Sequence, residues 1–169
     1  GVIPIIYWDC FLDDNAPNIE RFKTDRVVKN DGTQVDYGGT HSAMKMFLPT
    51  LTNGFGVEMA RFVDTLFDQC GGRGIYWDEI EYSACRYHYG KPWDEVSGDI
   101  DPQTFVLLNK KSSVTLLSQP FRLQQAFLAL FDNARHAVLS ATRQGRIVVR
   151  VEQTDSGRVA VRLTDNGLG

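Results

Sequence analysis

The sequence predicts an α/β fold, on three observations. An amphipathic helix of about five turns over residues 121–138 is followed by two alternating apolar segments that form a hairpin. A second apolar helix over residues 57–70 precedes a short β-rich run. The tetrapeptide Ile6-Tyr7-Trp8-Asp9 recurs as Ile75-Tyr76-Trp77-Asp78, each time closing an expected strand. Residues 1–115 form a partial βα segment and residues 116–169 a separate helix-and-hairpin segment, a two-layer α/β sandwich.

Taken in order, Val2 to Trp8 is a short apolar run that reads as a buried strand ending at Asp9. Residues 12–40 are polar and contain Asn30-Asp31-Gly32 and Gly38-Gly39, which predicts mostly loop. From Val57 to Cys70, the residues Met59, Phe62, Val63, Leu66, Phe67 and Cys70 recur at helical spacing. Gly71 and Gly72 end that helix, because glycine readily takes the left-handed conformation. Ile75 to Trp77 is the next strand, and Tyr82 to Asp101 is aromatic and rich in turns. Val114 to Leu117 reads as a further strand, with Pro120 opening the next helix, where a missing N–H costs nothing. Leu123, Ala126, Phe127, Leu130, Phe131, Ala134, Ala137 and Val138 line one face of that helix. Ile147, Val149 and Val151, then Val159, Val161 and Leu163, alternate on either side of the turn Asp155-Ser156-Gly157.

Composition narrows the function classes. The chain has 169 residues, 43% of them hydrophobic and 23% charged, enough to bury a core. A net charge of −3, with no basic stripe interleaved with aromatics, gives no electrostatic case for nucleic acid as the main partner. No apolar run reaches the roughly 18–20 residues that span a bilayer. Cys10, Cys70 and Cys85 are odd in number and lack CxxC spacing, so neither a disulfide framework nor a zinc site is expected. The absence of an initial Met and the ending on a motif suggest a fragment.

Phe121-Arg122-Leu123-Gln124-Gln125, with Leu130-Phe131-Asp132-Asn133-Ala134-Arg135-His136-Ala137, resembles the N-box helix of sensor histidine kinases. The hairpin and the ending Asp165-Asn166-Gly167-Leu168-Gly169 resemble the strands and first glycine box that follow it. The wider group is the ATPase superfamily of gyrase B, Hsp90 and MutL. The resemblance covers residues 116–169 and implies the N-terminal half of an ATP-binding domain in two-component signal transduction, cytoplasmic for this part. It implies ATP and Mg2+ as cofactors, and a phospho-acceptor histidine domain and a response regulator as partners. Asn133 matches the metal ligand, whose amide oxygen suits magnesium. His136 is its i, i+3 neighbour near the phosphates. Asp165 matches the adenine acceptor, and Gly167 and Gly169 match glycines that let the backbone approach the ligand.

Two departures stand out. Ala129 occupies the position where the family carries Asn or a catalytic Glu, and a methyl cannot act as a base or metal ligand. The lid, the second glycine box and a phospho-acceptor box are missing; His41, in Gly39-Thr40-His41-Ser42-Ala43, lacks the expected neighbours.

Residues 1–115 weakly resemble a fragment of a glycoside-hydrolase-like (β/α) barrel. Functional groups in such sheets lie past the carboxyl ends of strands, which makes Asp9, Asp78, Glu79 and Glu81 the candidate acids of a carbohydrate-active site. Adjacent Asp78 and Glu79 would point to opposite faces of a strand. Capping acids beside core aromatics are the plainer reading, and a non-catalytic remnant or chimera is a third.

Overall fold

The computed structural model describes residues 4–41, 43–78, 85–140 and 144–167. The fold is mixed α/β, with its strands in five small two-stranded sheets among the described residues. The chain forms two compact units, residues 1–123 and 124–169.

In the first unit, β1 (Ile5–Trp8) and β4 (Gly74–Trp77) pair in parallel. The repeated tetrapeptide is thereby brought side by side in register, Tyr7 beside Tyr76 and Trp8 beside Trp77. Alternation along each strand puts the tyrosines on one face and the tryptophans on the other. Tyr7 and Tyr76 are exposed and stack at 5.9 Å. Trp8 and Trp77 pack against the core.

Residues 12–40, expected as loop, contain β2 (Leu12–Asp13) and the short helix α1 (Ala16–Arg21). Pro17 sits in the first turn of α1, where it needs no donor. β2 pairs antiparallel with β3 (Lys45–Met46). This stretch and β3 carry much of the core: Phe22, Val27 and Val35 from the first, and Met46 with the adjoining Phe47, are all buried.

The helix expected from residue 57 is α2 (Gly54–Asp68), starting three residues earlier. Asn53 caps it, its side-chain oxygen accepting the Gly56 amide at 2.9 Å. Asp25 accepts the Phe55 amide at 2.8 Å, so a carboxylate already occupies the positive end of the helix. Phe55, Met59, Val63 and Phe67 form the buried stripe, and Gly71, at φ +67°, turns the chain out of the helix. Phe62, placed on the stripe by spacing alone, is exposed.

β5 (Tyr87–His88) pairs with β8 (Ser112–Ser113), and β6 (Gly98–Ile100) with β7 (Leu107–Lys110). The expected strand at Val114–Leu117 does not form. Those residues are the first turn of α3 (Val114–Leu139), which runs through Pro120. The core decides this: Val114, Leu117 and Phe121, at i, i+3 and i+7, all meet it. A four-residue apolar run fits a strand or a helix equally well by periodicity. Near the proline, the Ser118 hydroxyl donates to the Val114 carbonyl and the Arg122 guanidinium to the Thr115 carbonyl.

The second unit comprises the rest of α3 and the antiparallel pair β9 (Ile147–Gln153) and β10 (Val159–Asp165). The turn between them uses Gly157 at φ +77°.

Candidate functional site

Within the second unit, the odd-numbered residues of the hairpin face α3. Val149, Val151, Val161 and Leu163 line an apolar groove of about 460 Å³ with Gln124, Phe127, Leu128 and Phe131. Asp165 shares their parity on β10, directly opposite Ile147, so its Cβ lies on this same face of the hairpin. One Asp165 carboxylate oxygen accepts the Gly167 amide at 2.9 Å. The Asn166 side chain accepts the Arg146 amide at 2.7 Å and donates to the Gln144 carbonyl at 3.0 Å, tying the turn to the start of β9.

The turn then meets the helix. A Cβ placed on Gly167 would lie 2.2 Å from the Ala137 carbonyl carbon and 2.4 Å from its oxygen, so only glycine fits. Ala137 is four residues after Asn133, so the turn abuts the helix flank on which Asn133 lies. Asn133 itself is exposed. It is two residues, roughly 200° of helix rotation, from Phe131, which places it outside the apolar groove.

His136 and Arg135 both reach Asp132, at 3.3 Å and 2.8 Å. The His136–Asp132 approach is not aligned as a hydrogen bond. His136 thus lies beside a carboxylate one turn back along α3. Gly169 lies outside the described residues.

In the first unit, the carboxyl ends of β1 and β4 bring two candidate acids near each other. Asp78 accepts the Tyr7 hydroxyl at 2.5 Å, a contact across 71 residues of sequence. That hydrogen bond, with partial loss of hydration and the negative charges of Asp78 and Asp9, pushes the Tyr7 phenol up to about 12. Asp9 accepts the Phe11 amide at 2.7 Å, which fixes the chain as it leaves β1. Glu79 and Glu81 lie outside the described residues. Beneath the strands, the Trp77 indole donates to Cys10 at 3.2 Å, and burial pushes the Cys10 thiol well up. An inert, packed cysteine is the result. His41 is exposed beside the Tyr37 ring, 5.8 Å away.

Three features escaped the sequence reading. His88 is buried; its Nδ1 accepts the Val28 amide at 3.2 Å and its Nε2 faces the Lys91 carbonyl at 3.1 Å, which fixes the tautomer with the proton on Nε2. Tyr7 acts on Asp78 through strand pairing that spacing along the chain does not reveal. The hairpin arginines fall on one face, a signal that parity along the strands would have exposed. No three metal-ligating side chains cluster among the described residues. Among those residues no helix is long and apolar enough to cross a membrane. Compared with family models, curated proteins and solved structures, the chain matches none.

Proposed function

We propose that residues 116–169 are the first part of a histidine-kinase-type ATP-binding domain, an α/β two-layer sandwich that binds nucleotide in the cytoplasm as part of two-component signalling. The observation that carries this reading is the seating of Gly167 against Ala137. It returns the turn bearing Asp165 to the helix that bears Asn133, as a pocket built from those two segments requires.

The side chains suit the two ends of a nucleotide unequally. Asp165 commits one carboxylate oxygen to the Gly167 amide and keeps the other for an adenine amino group. Asn133 offers magnesium a single neutral oxygen, so phosphates and water would supply the remaining ligands. Bound magnesium would neutralise phosphate charge. His136, 3.3 Å from Asp132, would add a donor near the phosphates. Ala129 supplies no base, so the reading is of binding rather than phosphoryl transfer.

Titration with a fluorescent ATP analogue, with and without magnesium, tests it. Saturable binding is expected, lost in Asp165→Ala and weakened in Asn133→Ala only when magnesium is present. Binding indifferent to both substitutions, or none, rules the reading out.

A second reading, a fragment of a glycoside-hydrolase-like barrel acting on carbohydrate in residues 1–115, is favoured by the parallel β1–β4 pairing and the Tyr7–Asp78 contact at its carboxyl end. Oligosaccharide binding abolished by Asp78→Asn would support it. Binding that ignores this substitution would remove Asp78 from any such site.

A further inference from the structure

The two faces of the β9–β10 hairpin differ in kind. The odd-numbered residues are apolar apart from the ends and face α3, as described. The even-numbered face carries Arg150 directly opposite Arg162. The ladder continues one pair at each end, where Asn166 bonds to Arg146 and Thr154 to Arg158. Parity therefore puts Arg146 and Arg158 on the same outward face. All four arginines are exposed. None of the four guanidiniums makes an ion pair or hydrogen bond among the described residues, where the arginines that do so lie elsewhere in the chain.

This arrangement has a cost. Like charges directly opposite on neighbouring strands destabilise a hairpin, and the Cα atoms of such a pair stand only about 4.5–5.5 Å apart. The neighbours on this face are Val148, Ala160, Thr164 and the single acid Glu152, so the positive charge is not balanced locally. Residues 124–169 contain six arginines, no lysine and four carboxylates, a net charge of +2 in a chain whose total is −3. Arginine without lysine is the composition suited to forked, bidentate recognition of planar oxyanions.

We infer that the outer face of the β9–β10 hairpin docks an acidic peptide segment of a partner protein, with carboxylates seated on the Arg150–Arg162 pair. Arg146 and Arg158 flank that pair at four residues' distance along their strands, roughly 13 Å at about 3.3 Å per residue. The result is three positive stations along the length of the hairpin. A carboxylate-bearing chain fits them better than a nucleic acid does. No aromatic side chain stands among the arginines to stack a base. The inference uses the face of the hairpin turned away from α3, so it stands or falls independently of nucleotide binding.

Fluorescence anisotropy of the whole chain with a fluorescein-labelled hexaglutamate peptide tests this. Saturable binding is expected, weakened at least about tenfold as ionic strength rises from about 50 to about 200 mM. Arg150→Gln with Arg162→Gln should weaken it by at least threefold, about the scale of losing charge-assisted hydrogen bonds at an exposed site. Absence of binding at millimolar peptide, a smaller loss in the double variant, or a weaker salt response than stated would each overturn the inference. So would an oligothymidylate that binds more tightly than the peptide. The salt series needs no variant and stands even if the double substitution fails to fold.

Discussion

Individual side chains carry most of the chemistry, and their roles come from partners distant in sequence. His88 is half of a contact between β5 and the Val28 backbone, and burial holds its imidazole below the usual value of 6.5. A histidine whose folded pKa is depressed favours the neutral form, so its contribution is intact above the unfolded pKa. It is lost as pH falls below about 6.5, where only the unfolded chain takes up the proton readily. The thermal midpoint of the wild type should therefore drop more steeply between about pH 6.5 and 5 than that of His88→Gln. Parallel slopes would show that His88 does not contribute to acid destabilisation. Gly167 is constrained differently, by space. Gly167→Ala should destabilise the second unit by about 1–3 kcal/mol, because the added methyl meets the Ala137 backbone rather than a movable side chain. Denaturant unfolding followed by a probe placed in the hairpin reads this directly. Gln125 shows the reverse case: it is buried and neither end of its amide has a partner among the described residues. Gln125→Leu should raise stability by about 1 kcal/mol or more, since an unsatisfied buried amide is removed; a loss of stability would mean the amide is satisfied.

At the scale of elements, α3 is the departure from expectation. It keeps Pro120 seven residues in, where the ring removes a donor and crowds the preceding turn. Because Pro120 is exposed, Pro120→Ala should restore the missing helical N–H and add up to about 3 kcal/mol of stability. Circular dichroism with chemical denaturation would show whether the midpoint rises as expected or stays put. The hairpin matched its sequence pattern closely, with the anticipated turn and alternation both present. Strand period is local, and residues 147–163 contain no competing signal. Residues 12–40 defied the pattern because their order comes from core contacts. Phe22, Val27 and Val35 are spaced irregularly along the chain, and they are buried by α2 and β3 neighbours rather than by any repeating face. The candidate site residues Asn133 and Asp165 were legible only as residue types. That Asn133 points away from the apolar groove could be learned only from how α3 lies on the hairpin.

For the whole molecule, burial is uneven. The core cluster of Phe11, Phe47, Phe55 and their neighbours lies entirely in residues 1–123. In the second unit, Val149, Val151 and Phe131 remain substantially exposed. Regions with few buried apolar contacts open at low free energy. Amide hydrogen exchange should therefore be slow in the second half of α2 and faster by orders of magnitude in β9 and β10. Equal protection in both would require that the hairpin be covered in solution by a partner or a second copy.

The sequence alone determined what depends on neighbours along the chain: the α2 and hairpin periods, the glycine turns at Gly71 and Gly157, and the polar residue types at Asn133 and Asp165. Tertiary structure alone decided what depends on chain segments meeting. It paired the two Ile-Tyr-Trp-Asp segments in parallel, drew Val114–Leu117 into a helix, placed Gly167 on Ala137 and sorted four arginines onto one uncovered face. The physical reason is range: hydrogen-bond periods and glycine conformations act within a few residues, whereas burial and cross-strand contact act through space.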